Sequence, residues 1–401
     1  MSTNILISGG SIAGPALAHW LHRFGFRATI VERAPGLRPG GQAIDIRGIA
    51  KEVVRRMELD RQVREACTDT DGMSIVTRNN RRLATLRADL FEGDGLIAEI
   101  EILRGDLSEV FHTATKDTTE YLFGDRIESL DDTADGVEVR FASGLARRFD
   151  LVIGADGLHS GVRALRFGPE SDHVHHLGHY LSFFTVPNRL GLRRWAVGYG
   201  EPGRTAGIRS IHDDAEAMGF LSFRSEQLEY DFRDLDQQRA IVRERFAGGG
   251  WEIPWLLDEM DKAPDFFFDS CGQVEMDSWS SGRVALLGDA ASCPSPMSGQ
   301  GTSLAVVGAY VLAGELAMAG GDHVVGFAEY ERRMRGFVAT NQKMGRANAA
   351  RSSPNSRFAL NVQILAAALL PHLPGRSFLV RPLLRAVNDI ELPDYAELAV
   401  S

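Results

Sequence analysis

The spacing of apolar residues predicts alternating strands and helices at the start of the chain. Residues 4–8 form a short apolar run that is typical of a buried strand. Between residues 12 and 24, apolar side chains recur at the spacing of one helix face, and a second apolar strand follows at 27–31. The order strand, helix, strand predicts a parallel βαβ unit.

The middle of the chain has a different pattern. Between residues 176 and 224, aromatic and apolar residues alternate and turn residues interrupt them, which predicts a sheet. The run Phe266-Phe267-Phe268 predicts a strand buried on both faces. The C-terminal third is predicted to be helical, with breaks at Pro371 and Pro374. The remaining predicted elements are strands at 137–141, 150–153 and 283–287, and helices at 103–115, 234–246 and 298–318.

These elements predict an α/β fold with a discontinuous, Rossmann-like nucleotide-binding domain. The expected pieces of that domain are residues 1–72, 99–174 and 269–325. A sheet-rich substrate domain of residues 73–98 and 175–268 is inserted between them. Residues 326–401 form a C-terminal helical segment.

Composition narrows the possible partners. The 401 residues carry a net charge of −10, which argues against a general nucleic-acid or anionic-membrane surface but leaves room for a local basic site. The three cysteines have no C-x-x-C spacing, so we expect a reduced, cytoplasmic chain without zinc. We expect no signal peptide, because no basic leader or small-residue cleavage site accompanies the first apolar run. The apolar stretch 301–321 contains Glu315, which favours a buried helix over a transmembrane segment. A monomer or a homodimer is expected.

The first chemical motif is a glycine-rich turn between the first strand and the first helix. The sequence Gly9-Gly10-Ser11-Ile12-Ala13-Gly14 matches G-x-G-x-x-G, except that Ser11 replaces the middle glycine. Gly9 permits a tight turn and Gly14 allows close packing of helix and strand. The N–H groups of the helix N-terminus can then bind a pyrophosphate, to which the Ser11 hydroxyl adds a donor.

A carboxylate follows at the distance that the motif requires. Glu32 ends the second strand, where it can accept hydrogen bonds from an adenosine ribose. Arg33 can lie over the adenine or near phosphate. Alone, the degenerate glycine motif also fits a tight surface loop, but the βαβ context and Glu32 favour dinucleotide binding.

Two further loops follow predicted strands. Gly154-Ala155-Asp156-Gly157 can meet a phosphate, although taken alone it also fits a type I turn. Gly288-Asp289-Ala290-Ala291 leads to Pro296-Met297-Ser298-Gly299-Gln300-Gly301 at the start of a helix. Asp289 can accept a hydrogen bond from a ribityl hydroxyl, and the backbone of 299–301 can face an isoalloxazine ring. The alternative for this third motif is a plain helix cap.

In this order, the three motifs resemble those of the class A flavoprotein aromatic hydroxylases, the para-hydroxybenzoate hydroxylase-like family. The segment D-G-x-x-S-x-V-R at 156–163 and the segment G-D-A-A…P-x-x-G-Q-G at 288–301 carry the resemblance. Within this family the chain resembles the tetracycline-inactivating flavin monooxygenases, whose short length it shares, and the aromatic polyketide hydroxylases. Ser292 and Ser303 depart from the histidine and asparagine that many members have there.

The resemblance implies an FAD-binding domain and a set of cofactor contacts. Asp156 is expected in the segment shared by FAD and NAD(P)H, Arg104 near the diphosphate or ribityl chain, and Arg38 and Asp45 along the flavin and the nicotinamide approach. The full implied set is Gly9, Ser11, Ala13, Gly14, Glu32, Arg33, Arg38, Asp45, Arg104, Asp156, Asp289, Gly299, Gln300 and Gly301.

The same resemblance implies a reaction centred on the cofactor. NAD(P)H reduces FAD, O2 forms a flavin C4a-hydroperoxide, and an electron-rich carbon of an aromatic or polyketide-like small molecule takes one oxygen atom. No catalytic side chain and no metal is expected, since the cofactor carries the chemistry. Two alternatives stay open: a flavin-dependent reductase of isoprenoid double bonds, and a non-catalytic FAD-holding protein that binds a ligand.

The substrate is expected between the aromatic sheet and the flavin. The predicted lining residues are Phe183, Trp195, Tyr199, Phe220 and Pro296. His179, Arg194 and His212 can polarise a substrate hydroxyl, although such residues are more often structural. Trp251-Glu252-Ile253-Pro254 is similar to part of a halogenase tryptophan motif, but Gly249 stands where that motif begins, so a helix start is the better interpretation.

Overall fold

The computed structural model describes residues 3–90, 98–211, 215–373, 381 and 384–399. Their strands and helices alternate in the first third, strands dominate the middle and helices the C-terminal third. The strands are β1 (Asn4–Ser8), β2 (Arg27–Glu32), β3 (Ala43–Ile46), β4 (Gly72–Val76), β5 (Arg82–Arg87), β6 (Ile100–Leu103), β7 (Glu120–Phe123), β8 (Ile127–Thr133), β9 (Gly136–Phe141), β10 (Ala146–Phe149), β11 (Leu151–Gly154), β12 (Val174–Pro187), β13 (Trp195–Glu201), β14 (Arg204–Ser210), β15 (Glu216–Arg224), β16 (Phe267–Val274), β17 (Ser280–Ser281) and β18 (Val284–Leu286). The α-helices are α1 (Ala13–Arg23), α2 (Ile49–Arg56), α3 (Asp60–Glu65), α4 (Arg104–Thr115), α5 (Gly161–Phe167), α6 (Leu235–Phe246), α7 (Ile253–Met260), α8 (Asp289–Ser292), α9 (Gly301–Met318), α10 (His323–Arg351) and α11 (Arg357–Leu369).

A six-stranded sheet forms the first layer, in the order β17-β18-β11-β1-β2-β7. Pairing is parallel from β18 to β7, and only the edge strand β17 is antiparallel. Ile5, Leu6 and Ile7 of the central strand are fully buried. Burial on both faces explains why this strand has an unbroken apolar sequence instead of an alternating one.

Helix α9 lies in the core beside this sheet. It packs against α1 and α10 and is buried along nearly its whole length, which explains why it is apolar on every side. Among the described residues, it is the helix with the length and composition to cross a membrane, and 78% of its 18-residue window is buried inside the protein. Glu315 is buried there and pairs with Arg333 and the Tyr395 hydroxyl. These contacts favour the predicted core helix.

A seven-stranded sheet forms the second layer, in the order β16-β12-β15-β14-β13-β4-β5. Its pairs are antiparallel except for β13 with β4. One face is covered by α6 and α7, and the cluster between them includes Tyr180, Phe184, Leu221 and Phe223. Successive residues of these strands therefore point alternately into this core and to the opposite face of the sheet.

The predicted fold class is confirmed, with local differences. Helix α9 begins at Gly301 and not at Ser298, because residues 296–298 form a separate 3-10 turn that ends at Gly299 in the left-handed region (φ +64°). Phe266 and Phe268 are buried, whereas Phe267 is only half-buried. Strand β16 crosses the expected domain boundary between 268 and 269. Helix α7 begins at Ile253 with Pro254 in its first turn, as the helix-start interpretation required.

Candidate active site

The three sequence motifs meet at one edge of the six-stranded sheet. Strands β1, β11 and β18 are parallel neighbours, so their carboxyl ends lie side by side. Each motif directly follows one of these ends. The crevice at the carboxyl ends of such strands is where open α/β sheets bind ligands.

The first loop needs glycine at two positions. Gly9 has φ +111°, and a Cβ added to it would lie 2.4 Å from the Ala155 carbonyl oxygen. A Cβ at Gly14 would lie 2.0 Å from the Gly9 carbonyl oxygen, so α1 can pack this close to β1 only without a side chain there. The first and second motifs therefore touch through backbone atoms.

Glu32 is held beside this turn by two backbone donors. Its carboxylate accepts hydrogen bonds of 2.8 Å from the N–H groups of Gly10 and Ala34. Helix α1 starts after Ile12 without a side-chain cap and has no acidic residue in its first turn. The N-terminal N–H groups and the positive end of the helix dipole therefore remain available to an anion.

The second loop is fixed by its own carboxylate. Asp156 accepts hydrogen bonds from the Ser8 hydroxyl at 3.3 Å, from the Val162 N–H at 3.1 Å and from the Ser160 hydroxyl. Burial raises the pKa of Asp156, and these hydrogen bonds oppose the rise. Its oxygens are therefore engaged in holding the loop against β1, which is a shaping role in addition to the one implied by the resemblance.

Arg163 is a residue that the sequence interpretation missed as a functional position. Its side chain is fully buried and donates to the Ala290 carbonyl at 3.0 Å and to the Leu158 carbonyl. It thus ties the second loop to the third. The available signal was its place as the last residue of the D-G-x-x-S-x-V-R segment.

The third loop lies against the first. A Cβ added at Gly288 would lie 3.3 Å from the Cβ of Ala13, and one at Gly301 would lie 3.5 Å from a carboxylate oxygen of Asp289. Gly299 is left-handed, and a Cβ there would lie 3.8 Å from a carboxylate oxygen of Asp45. Gly301 is the first residue of α9, which starts without a side-chain cap, so a second helix N-terminus lies beside Asp289.

Positive charge concentrates around Arg104 at the start of α4. Burial lowers the pKa of this guanidinium and Arg38 lowers it further, whereas Asp289 and Glu32 raise it. Arg33 also acts on it. Residues from the end of β2, from the loop after it and from the third loop therefore lie within electrostatic range of Arg104.

Asp45 belongs to a second charged group, on the short sheet of β3 and β6. Its carboxylate pairs with Arg47 at 2.9 Å, and the side chain is 20% exposed. The Arg47 N–H donates to the Ser303 hydroxyl at 3.1 Å, which fixes this loop to the first turn of α9. Arg47 was not predicted, and Ser303, noted above as a departure from the family pattern, provides its anchor.

Gln300 is the clearest test of whether these residues fit FAD. The side chain is fully buried, and neither its amide nitrogen nor its amide oxygen has a hydrogen-bond partner in the protein. An unsatisfied buried amide is costly, so a polar ligand group beside it relieves that cost. The donor and acceptor edge of an isoalloxazine supplies such a group, and the N-terminus of α1 together with Arg104 matches a diphosphate.

The predicted aromatic residues separate onto two faces of the seven-stranded sheet. Phe183 and Phe220 are cross-strand partners with ring centroids 5.2 Å apart, and both are half-buried. In the next strands the same row continues with Gly207 and Gly198, and Gly198 has no atom within 4 Å of an added Cβ. This face therefore combines two aromatic rings with open space.

Trp195 and Tyr199 do not share that face, which corrects the expectation of one common lining. Tyr199 pairs with Ala206, which belongs to the cluster under α6 and α7. The ring centroids of Tyr199 and Trp251 are 5.8 Å apart. Trp195 has the same parity on β13 and donates from its indole N–H to the Ser74 hydroxyl. Side chains two apart on a strand share a face, so both residues point away from Phe220.

The remaining predicted side chains have other environments. Pro296 is exposed and opens the 3-10 turn before Gly299. His179 is fully buried, with its imidazole against the Ala349 carbonyl. Arg194 forms a surface ion pair with Asp71. His212 lies outside the described residues.

Fold and site together define a dinucleotide-binding protein of the Rossmann type. Residues 2–175 and 270–338 match the family model described as an FAD binding domain. An uncharacterized protein of Mycobacterium tuberculosis is 47% identical over 351 residues, which cover 87% of this chain and 94% of that one. A flavin-dependent monooxygenase of Legionella longbeachae is 42% identical over 347 residues, covering 86% and 89%. The crystal structure of tetracycline destructase Tet(51) aligns with a TM-score of 0.84 at 34% identity, covering 98% of this chain and 100% of the other.

The chain thus belongs to the FAD-dependent monooxygenases and is a flavoprotein oxidoreductase.

Proposed function

We propose that the protein uses electrons from NAD(P)H and molecular oxygen to hydroxylate an aromatic or polyketide-like small molecule. The observation that carries this proposal is the convergence of three loops, two uncapped helix N-termini and Arg104 at one edge of the six-stranded sheet. The likeness to a tetracycline destructase supports a polycyclic aromatic substrate.

The residues of this chain would divide the binding of FAD among themselves. The N–H groups at the start of α1 and the Arg104 guanidinium would neutralise the diphosphate. Glu32 would accept hydrogen bonds from the adenosine ribose, and Asp289 would bind the ribityl chain. When bound, FAD supplies the redox chemistry that takes electrons from NAD(P)H and activates oxygen.

Around the flavin ring, the chain would provide polarity on one side and apolar surface on the other. The backbone of 299–301 and the Gln300 amide would meet the polar edge of the ring. Asp45 and its partner Arg47 would border the ring and exclude bulk water. Phe183 and Phe220 would stack against the rings of the substrate, above the open strand at Gly198.

Location and assembly complete the proposal. The three described cysteines are free thiols, which agrees with a reducing, cytoplasmic environment. A monomer or a homodimer satisfies the site, since every residue assigned above comes from one chain.

The test is turnover by the purified yellow protein. Phenolic and polyketide compounds, including tetracyclines, are screened for stimulated NAD(P)H consumption, and products are analysed for a mass gain of one oxygen atom. Coupled NAD(P)H oxidation and oxygen insertion is the expected result. NAD(P)H oxidation that reduces a substrate double bond without oxygen insertion would establish the reductase instead. Ligand binding without NAD(P)H oxidation for any compound would establish a binding protein.

A further inference from the structure

Helix α11 presents apolar side chains on its outer side. Phe358, Val362, Leu365 and Leu369 recur at helical spacing and are 79%, 50%, 58% and 49% exposed. Inward-facing Leu360 packs over Gly200 of β13, so the helix is apolar on opposite sides. No residue of α11 is fully buried. An exposed apolar stripe of this length marks an interaction surface.

The stretch of sequence that contains α11 is basic, whereas the protein as a whole is acidic. Residues 332–388 contain ten Lys and Arg residues and no Asp or Glu, whereas the chain carries −10. Several of these cations pair with acids elsewhere, as Arg346 does with Glu275. The net charge of the whole chain therefore does not exclude a local basic region, and the expectation drawn from that charge concerned only the general surface.

Exposed arginines flank the apolar stripe. Arg357 begins α11, and the Arg351 carbonyl accepts a hydrogen bond from Gln363 at 2.7 Å, which places the end of α10 beside α11. Helix α11 also packs against β5, whose hairpin exposes Arg81 and Arg82. The surface thus combines a central apolar row with cations at its border.

We propose that the outer side of α11 docks this protein on the surface of a bilayer that contains anionic lipid. Apolar side chains would enter the boundary between headgroups and acyl chains while the flanking arginines meet lipid phosphates, as in interfacial amphipathic helices. A second protein copy fits less well, because two copies of this surface would bring like charges together. Docking would also place β13, which bears the open strand at Gly198, close to the membrane.

The experiment is co-sedimentation of the holoprotein with vesicles of phosphatidylcholine, with and without phosphatidylglycerol. We expect binding that requires phosphatidylglycerol and weakens at high salt. The double variant Val362→Glu/Leu365→Glu should reduce the bound fraction at least about tenfold. The matched control is Val324→Glu/Val325→Glu, which replaces exposed valines of α10 and should bind like the wild type.

Three results would overturn the inference: equal binding to both vesicle types, full binding by the α11 variant, or a wild-type dimer that the α11 variant dissociates and that binds no vesicles. Retained flavin absorbance and helix content in the variant establish that it is folded. Binding is measured without substrate, so failure of the docking inference and failure of the proposed reaction are separate outcomes.

Discussion

The two sheets of this protein fix their functional surfaces in different ways. At the carboxyl edge of the six-stranded sheet, backbone geometry defines the site, because Gly9 and Gly14 admit no side chain. On the seven-stranded sheet, the strand register decides which side chains face the site, and Phe220 and Phe223 point to opposite sides. Tight backbone contacts require glycine, and these glycines can be recognised in the sequence. The sequence of a strand shows only which residues alternate, and not which of the two sets faces the site.

Filling the backbone contact at Gly14 should have the largest effect. The change Gly14→Val places a side chain against the Gly9 carbonyl oxygen, 2.0 Å from the new Cβ. Overpacking costs about 3 kcal/mol, so we expect FAD affinity to fall about 100-fold. Flavin content is measured from visible absorbance. The control Gly36→Val has open space around its Cβ and should keep its flavin; full flavin in the Gly14 variant would contradict our placement of the diphosphate.

Removing the central cation should have a smaller effect. Arg104→Ala leaves Asp289 without the guanidinium that lowers its pKa, and a charged hydrogen bond is worth about 1.5–3 kcal/mol. We therefore expect the Kd of FAD to rise about 10- to 100-fold, measured by flavin fluorescence titration. Arg148→Ala, at an exposed position of β10, is the matched control. An unchanged Kd in the Arg104 variant would place the diphosphate elsewhere.

Alanine substitutions on the two faces of the seven-stranded sheet test which face binds the substrate. Phe220→Ala should raise KM for the substrate about fivefold to tenfold with flavin content unchanged, since ring stacking is worth about 1 kcal/mol. Phe223→Ala should lower thermal stability and leave KM unaltered, because Phe223 lies in the cluster under α6 and α7. Steady-state kinetics and thermal unfolding separate the two. The reverse pattern would mean that the substrate lies on the other face.

The smallest expected effect is on stability, at an ion-pair contact between the two sheets. His159 follows β11, and its imidazole lies 2.9 Å from Glu170 and 3.2 Å from Asp269 on β16. Burial lowers the pKa of His159, but hydrogen bonds and charge from Asp269 and Glu170 outweigh it and raise the pKa from 6.5 to about 10. The stabilisation is therefore complete below pH 6.5 and is lost as the pH rises through about 10.

The test compares the wild type with His159→Gln. The difference in unfolding free energy should be on the order of 1 kcal/mol near neutral pH, since the pair is partly exposed, and should shrink toward alkaline pH. Thermal unfolding at a series of pH values measures it. A difference that stays constant with pH would show that the imidazole is neutral in the folded protein.

The sequence contained most of the nucleotide site because that site depends on local rules. A strand, a glycine turn and a helix follow one another within the first 24 residues, and Glu32 lies at the end of the next strand. Arg163 and Arg47 were not predicted because their roles depend on contacts across the fold, with the Ala290 carbonyl and the Ser303 hydroxyl. The register that places Tyr199 opposite Ala206 is equally a property of the folded sheet.

The buried Arg163 has a consequence for how the protein is made. Its guanidinium binds a carbonyl oxygen 127 positions later in the chain, and five strands of the seven-stranded sheet, β12 to β16, are synthesised in the interval. A nascent polypeptide that has left the ribosome only through that sheet therefore carries an incomplete nucleotide crevice. Acquisition of the flavin must follow synthesis of the middle of the chain, which makes cofactor supply a late requirement of biogenesis.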